Sequence, residues 1–169
     1  MSVKKIAIIG PESTGKSTLS EQLSYFFDEP FVPEFGRIYL EQHGTPYTYE
    51  DLLKISEGML QLEQEKAKAA KNFLFCDTDL IMMKVWYEVK YAKVHPWIIE
   101  QLENAPYNYY LICKPDLPWI ADPLRENPSI REALFKKYLE NVNYYGIPYQ
   151  IIKGYERLQS AVEALKKEF

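Results

Sequence analysis

Short apolar runs alternate with longer amphipathic segments along the whole chain. Val3 to Ile9 is a continuous Ile/Val-rich run, the pattern of a strand buried on both faces of a parallel sheet. After Lys16, Leu19, Leu23, Phe26 and Phe27 recur at helical spacing, predicting a helix to about Asp28. A second short strand is predicted at Phe31 to Glu34, followed by an aromatic stretch to Tyr47 whose propensities are mixed. Thr48 with Asp51 three residues later has the form of a capping box, and Leu52, Ile55, Met59 and Leu62 share the face of a helix ending near Lys71.

The alternation continues. Phe73 to Cys76 is a third predicted strand, closing at Asp77. Leu80 to Tyr91 and Trp97 to Leu102 read as helices broken at Pro96. Tyr109 to Cys113 is a fourth strand, and Pro115, Pro118, Pro123 and Pro128 punctuate the long loop after it. Asn127 before Pro128 reads as a helix start, with Ile130, Leu134, Tyr138 and Val142 on one stripe ending at Gly146. Tyr149 to Ile152 is a fifth strand, and Tyr155, Leu158, Val162 and Leu165 form a closing helix. Strands alternating with helices of this length predict an α/β fold, a parallel sheet covered on both faces.

Composition narrows the picture. A chain of 169 residues, 47% hydrophobic, can build one ordinary core, and no linker-like tract divides it, so a single domain spanning 1–169 is expected. The net charge of −4 argues against a nucleic-acid footprint, which needs clustered Lys and Arg. The run Ile6 to Ile9 is too short for a secretory segment or a membrane span, so a cytoplasmic protein with no membrane partner is expected. Cys76 and Cys113 each sit inside an apolar run, as buried thiols do. His43 and His95 have no ligand spacing.

The chemistry begins at residues 10–18, Gly-Pro-Glu-Ser-Thr-Gly-Lys-Ser-Thr. The pattern Gly-x-x-x-x-Gly-Lys-Ser/Thr arises by chance about once in 25,000 positions at average composition. Here it follows a buried strand and opens a helix, the context a phosphate-binding loop needs. Gly10 permits the exit from the strand, and Gly15 lets the backbone approach phosphate oxygens. The N–H groups of Ser13, Thr14, Gly15, Lys16, Ser17 and Thr18 converge at a helix N-terminus that favours an anion. Lys16 is expected to reach the outer phosphates of ATP, and Ser17 to ligate Mg²⁺. Asp77, at the end of another strand, is the candidate to hold that ion through water; its alternative role is to cap the following helix.

The surroundings exclude some users of this loop. Leu80 stands where a GTPase switch has Gly, and Cys113-Lys114-Pro115-Asp116 lacks the Asn that reads guanine. A small-molecule kinase with a mobile lid fits the length. Residues 114–131 form the lid candidate, with Arg125 and Arg131 placed to offset charge on the transferred phosphoryl; alternatively the segment is a solvated connection with surface arginines.

Taken in order, Gly10 to Thr18, Pro33-Glu-Phe-Gly-Arg37, Phe75-Cys-Asp-Thr-Asp79, Lys84-Val-Trp86, Pro118-Trp119 and Asp122-Pro-Leu-Arg125 resemble the ribosylnicotinamide kinase domain of the NadR family, over nearly the whole chain. The resemblance implies a P-loop three-layer sandwich with a five-stranded parallel sheet of order 2-3-1-4-5. The implied reaction converts ATP and nicotinamide riboside to ADP and nicotinamide mononucleotide. Larger relatives carry an adenylyltransferase domain and sometimes a helix-turn-helix, neither of which is expected here.

Phosphoryl transfer to a 5′-hydroxyl needs a nearby carboxylate, and Glu34, Asp77 and Asp79 are the candidates, Glu34 favoured and Asp79 with a second role at the ribose hydroxyls. Arg37 could pair with Glu34, approach phosphate or lie on the surface. A pyridinium ring calls for aromatic faces, so Trp86 and Trp119, with Tyr87 and Trp97, are candidate walls, although a Trp on a helical stripe also serves as core. Adenine is expected between the lid and Lys153-Gly-Tyr-Glu-Arg157, by analogy with related kinases. Two other readings stay open: a kinase for another nucleoside or small metabolite, and a regulatory nucleotide-binding ATPase.

Overall fold

The computed structural model describes residues 2–104 and 106–169; Met1 and Ala105 lie outside the described residues. Five strands, β1 (Lys4–Ile9), β2 (Phe31–Val32), β3 (Phe73–Asp77), β4 (Tyr109–Cys113) and β5 (Tyr149–Ile152), form one sheet in the order β2-β3-β1-β4-β5. All its pairings are parallel, with Ile6 opposite Phe75 on one side and Tyr109 on the other. The central strand ends in four fully buried residues, Ile6 to Ile9. That explains the unbroken apolar run, because helices cover both faces.

The helices are α1 (Lys16–Phe27), α2 (Phe35–His43), α3 (Tyr49–Ala67), α4 (Leu80–Tyr91), α5 (Pro96–Glu103), α6 (Arg131–Tyr144) and α7 (Arg157–Glu168). Alternate β1 residues feed opposite cores. Ala7 and Ile9 pack with Leu52, Ile55, Met59, Met83 and Leu134 from α3, α4 and α6. Ile6 and Ile8 pack with Leu19, Leu23, Val162 and Leu165 from α1 and α7. Among the described residues no helix is long and apolar enough to cross a membrane.

Several boundaries differ from the sequence reading. The second strand stops at Val32, and the aromatic stretch after it is helix α2, which buries Gly36, Tyr39 and Leu40 at i, i+3 and i+4. Gly36 in its first turn weakens local helix propensity. Tertiary packing overrides that: a Cβ at Gly36 would meet Trp86 at 3.4 Å, so the missing side chain admits the indole. α6 begins at Arg131 rather than at Asn127-Pro128, and α7 at Arg157, leaving Tyr155 exposed and off the apolar stripe. The capping box stands as expected, with the Thr48 hydroxyl accepting from Asp51 N and the Asp51 carboxylate from Thr48 N. Asp79 caps α4, the role considered above for Asp77. Glu63 on α3 is buried, accepting from Lys5 Nζ at 2.9 Å and Tyr107 OH at 2.6 Å.

Candidate active site

β1 ends at Ile9, and the next six residues form an anion-sized concavity before α1 begins. Gly10 sits so close to β4 that a Cβ there would lie 2.6 Å from the Cys113 carbonyl oxygen. Ser13 and Gly15 both have left-handed backbones, φ 60° and 78°, flanking Thr14, the kind of turn in which successive N–H groups can form an anion-binding nest. The Thr14 hydroxyl braces the turn by donating to the Pro11 carbonyl at 2.7 Å. The N-terminus of α1 has no side-chain cap, so its free donors and dipole face the concavity. Lys16 is 8% exposed and lines the same space.

Ser17 Oγ donates to Asp77 Oδ2 at 2.6 Å, and Asp77 Oδ1 is buried without a partner. Burial pushes the Asp77 carboxyl above its usual range and neighbouring Glu34 adds to this, while Lys16, Ser17 and Arg37 pull it down. Among the described residues no three His, Cys, Asp or Glu side chains form a metal cage. A hydroxyl beside an unsatisfied carboxylate oxygen suits Mg²⁺, which keeps waters and takes most other ligands from phosphate.

Two cavities meet at the loop. The larger, about 700 Å³, runs from Lys16, Ser17 and Thr18 to a far end walled by Glu34, Arg37, Met59, Trp86, Asp122 and Glu126. The smaller, about 510 Å³, lies between α1, Pro118, Ile120 and Tyr155 to Leu158. Ser13, Gly15, Thr18 and Arg125 line both. Arg125 therefore stands at the junction, and its guanidinium donates to the Ile120 carbonyl.

The far end is assembled from distant segments. Glu34 occupies the N-cap position of α2 without making a cap bond. Arg37, one turn on, pairs with Asp122 across 85 residues, at 3.1 and 3.2 Å, rather than with Glu34. Trp86 Nε1 donates to Tyr47 OH at 2.8 Å, and Tyr47 OH donates to Glu126 Oε2 at 2.9 Å. Thr78, a lining residue with φ 83° and a buried hydroxyl lacking a partner, holds a backbone that β-branched residues rarely adopt.

A family model described as AAA domain matches residues 5–157. The chain belongs to this AAA-domain family. It is 28% identical over 144 residues to the trifunctional NAD biosynthesis/regulator protein NadR of Escherichia coli, covering 83% of this chain and 34% of that protein. The figures for NadR of Salmonella typhimurium are the same. The chain thus spans about a third of the length of the curated relatives it matches. It superimposes on NadR in complex with NR with a TM-score of 0.80 at 22% identity, over 98% of this chain and 51% of that one. For NadR with NAD and AMP-PNP the TM-score is 0.78 at 20% identity, over 98% and 49%. Thymidylate kinase of Ehrlichia chaffeensis matches over 100% of both chains, with a TM-score of 0.66 at 12% identity. This AAA-domain chain therefore has a kinase-like P-loop fold with the sheet order expected.

Within that fold the sequence-derived candidates divide. Ser13 to Thr18, Glu34, Arg37, Trp86 and Arg125 line the larger cavity, and Asp77 meets it through Ser17. Asp79 does not: it is 0% exposed, one oxygen accepts from Met82 N at 2.9 Å and the other from the Tyr110 hydroxyl, so it serves the fold. Trp119 lies outside both cavities, stacked on Arg131 at 5.7 Å. Arg131 lines neither cavity; its guanidinium is taken up by backbone, donating to the carbonyls of Leu117 at 3.0 Å and of Ser13 in the phosphate loop at 3.3 Å. Tyr87 belongs to the core cluster around α4, and Trp97 is partly buried against it; neither lines a cavity. Glu12, Asp122 and Glu126 also line the larger cavity without having been singled out for it, and Tyr47 reaches it only through Trp86 and Glu126; the stretch Asp122 to Arg125 was expected to be part of a lid, but nothing in the sequence announced the partner of Asp122.

Proposed function

We propose that this protein is an ATP-dependent ribosylnicotinamide kinase, transferring the γ-phosphoryl group to the 5′-hydroxyl of nicotinamide riboside. The observation carrying this reading is the shared wall of the two cavities. A nucleotide base in the smaller one and an acceptor in the larger would meet where the loop's N–H groups, Lys16 and Arg125 converge.

The chain's residues then act as follows. The backbone from Ser13 to Thr18 holds the β- and γ-phosphates, and Lys16 and Arg125 offset charge that spreads over the transferred group. Ser17 and Asp77 would hold Mg²⁺, which when bound neutralises and orients the phosphate oxygens. The acceptor oxygen forms its bond to Pγ as the bond to the bridging oxygen breaks; ADP leaves with that electron pair. Glu34 takes the hydroxyl proton. Trp86 offers an aromatic face to the cationic ring, with Tyr47 and the carboxylate of Glu126 behind it. Likeness to the NadR bound to NR supports this choice of acceptor.

ADP release with Mg-ATP and nicotinamide riboside tests the proposal, and phosphate should appear on the 5′ oxygen. Faster turnover with another nucleoside in a parallel panel would reassign the acceptor. Hydrolysis indifferent to every acceptor would overturn the kinase reading.

A further inference from the structure

An acidic side chain inside a phosphate-binding loop needs a physical explanation, because a carboxylate a few ångströms from a triphosphate is repelled in a partly desolvated site. Glu12 is that residue. Its carboxylate turns to the lid, where Oε1 accepts from Glu126 N at 3.1 Å and Oε2 accepts from Glu126 N at 3.2 Å and Asn127 N at 2.9 Å. These amides directly follow Arg125. On the other side of Arg125, Asp122 is held by Arg37, accepts Leu124 N at 2.9 Å through its side chain and accepts Arg125 N at 3.0 Å through its carbonyl. Ser13 adds two bonds to the earlier part of the lid, donating to the Pro118 carbonyl at 3.2 Å and accepting from Ile120 N at 2.9 Å.

We propose that Glu12 is a positioning residue for Arg125, latching the lid backbone to the phosphate loop so that the guanidinium stands at the junction of the two cavities. The latch rests on the kinase reading for its consequence, but not for its existence. Clamping one turn of backbone on both sides fixes where an arginine can reach, and charge stabilisation of a transferring phosphoryl depends on donors already in place. A bond from the carboxylate to two amides also draws its charge towards the lid. The loop thereby places its anion-binding donors and its lid by the same fold.

Two measurements test the latch. In nucleotide-free protein, Glu12→Ala should speed hydrogen exchange at the Glu126 and Asn127 amides about tenfold or more, with β1 and α1 unchanged. Glu12→Gln, which keeps an acceptor of the same shape, should lie between. In turnover assays Glu12→Ala should lower kcat about tenfold when Arg125 is present and less than about twofold in an Arg125→Ala background, since residues acting as a unit are non-additive.

Unchanged exchange at both amides would overturn the latch, as would an equal kcat cost in both backgrounds. So would higher activity in Glu12→Ala, the outcome if its charge merely opposes phosphate. Should the alanine variant misfold, the glutamine variant carries both readouts. A wild-type protein with no acceptor-dependent turnover would sink the kinase reading, while the exchange result would still decide whether the latch exists.

Discussion

The two ends of the larger cavity are built by different means. The phosphate loop is nine consecutive residues, a backbone-built concavity in which glycine is required by contact, as at Gly10 against Cys113. The far end, proposed above to take the acceptor, is side chains from β2–α2, the loop before α3, α4 and the segment from Asp122 to Glu126, joined by bonds spanning 39 to 85 residues. A backbone site survives changes in most side chains but fails when its few charged members go. A side-chain site divides its energy among many weaker contacts, each replaceable at moderate cost.

The strongest test of that contrast is Lys16→Ala. In the proposed mechanism its ammonium supplies the full positive charge that backbone dipoles lack. Its loss should lower kcat on the order of 10³-fold, about 4 kcal/mol of transition-state stabilisation. The circular dichroism spectrum should keep its α/β form, because the strands and helices do not depend on this side chain. Near-normal turnover in a folded Lys16→Ala protein would mean that the loop is not where phosphoryl transfer occurs.

This difference in construction also decided what could be read from sequence. The phosphate loop was legible because its residues are contiguous and its flanking strand and helix have clear periods. The sheet order came from family resemblance, and the strands from apolar runs. Helix α2 was not legible: its short burial pattern competes with Gly36 and with aromatic residues that suit strands equally well. The partners of the expected lid segment were invisible for another reason, since Arg37–Asp122 and Glu12–Glu126 are pairings fixed only once β1, β3 and α2 are in place. Asp79 misled because DTD offers two carboxylates to one site, and only the turn at Thr78 determines which faces inward.

Trp86 and Trp119 sharpen the comparison at intermediate size. Both were plausible walls by composition, yet Trp86 lines the cavity and Trp119 packs on Arg131 outside it. Trp86→Ala should raise the acceptor KM about 10- to 100-fold, the loss of an aromatic face against a cation together with its buried area. Its effect on KM for ATP should be small. Trp119→Ala should change the acceptor KM less than about threefold, consistent with a half-exposed contact. Equal effects of the two substitutions would place the ring elsewhere.

The smallest effect concerns how the acceptor wall is held together. Asp51 accepts from Thr48 N at 2.7 Å, Thr48 Oγ1 at 2.9 Å and Tyr39 OH at 2.6 Å, and so ties α2 to the start of α3, the helix carrying Ile55 and Met59. These donors, Tyr39 foremost, hold its carboxyl at about 2 instead of the usual 3.8. Between those values the unfolded chain binds the proton more readily than the native one, so stability rises with pH through that window. The contribution is complete above the unfolded value and disappears as pH falls through about 2. Glu63 shifts the opposite way, raised by burial, so its contribution is greatest in acid and fades as pH climbs through its folded value. Comparing wild type with Asp51→Asn cancels that second group, because both proteins contain it. The gap between their melting temperatures should be widest above about pH 5 and close steadily as pH falls towards 2. A gap that stayed constant with pH would show that the carboxylate's charge contributes nothing, and that α2 meets α3 through packing alone, as Phe35 against Gly58 already allows.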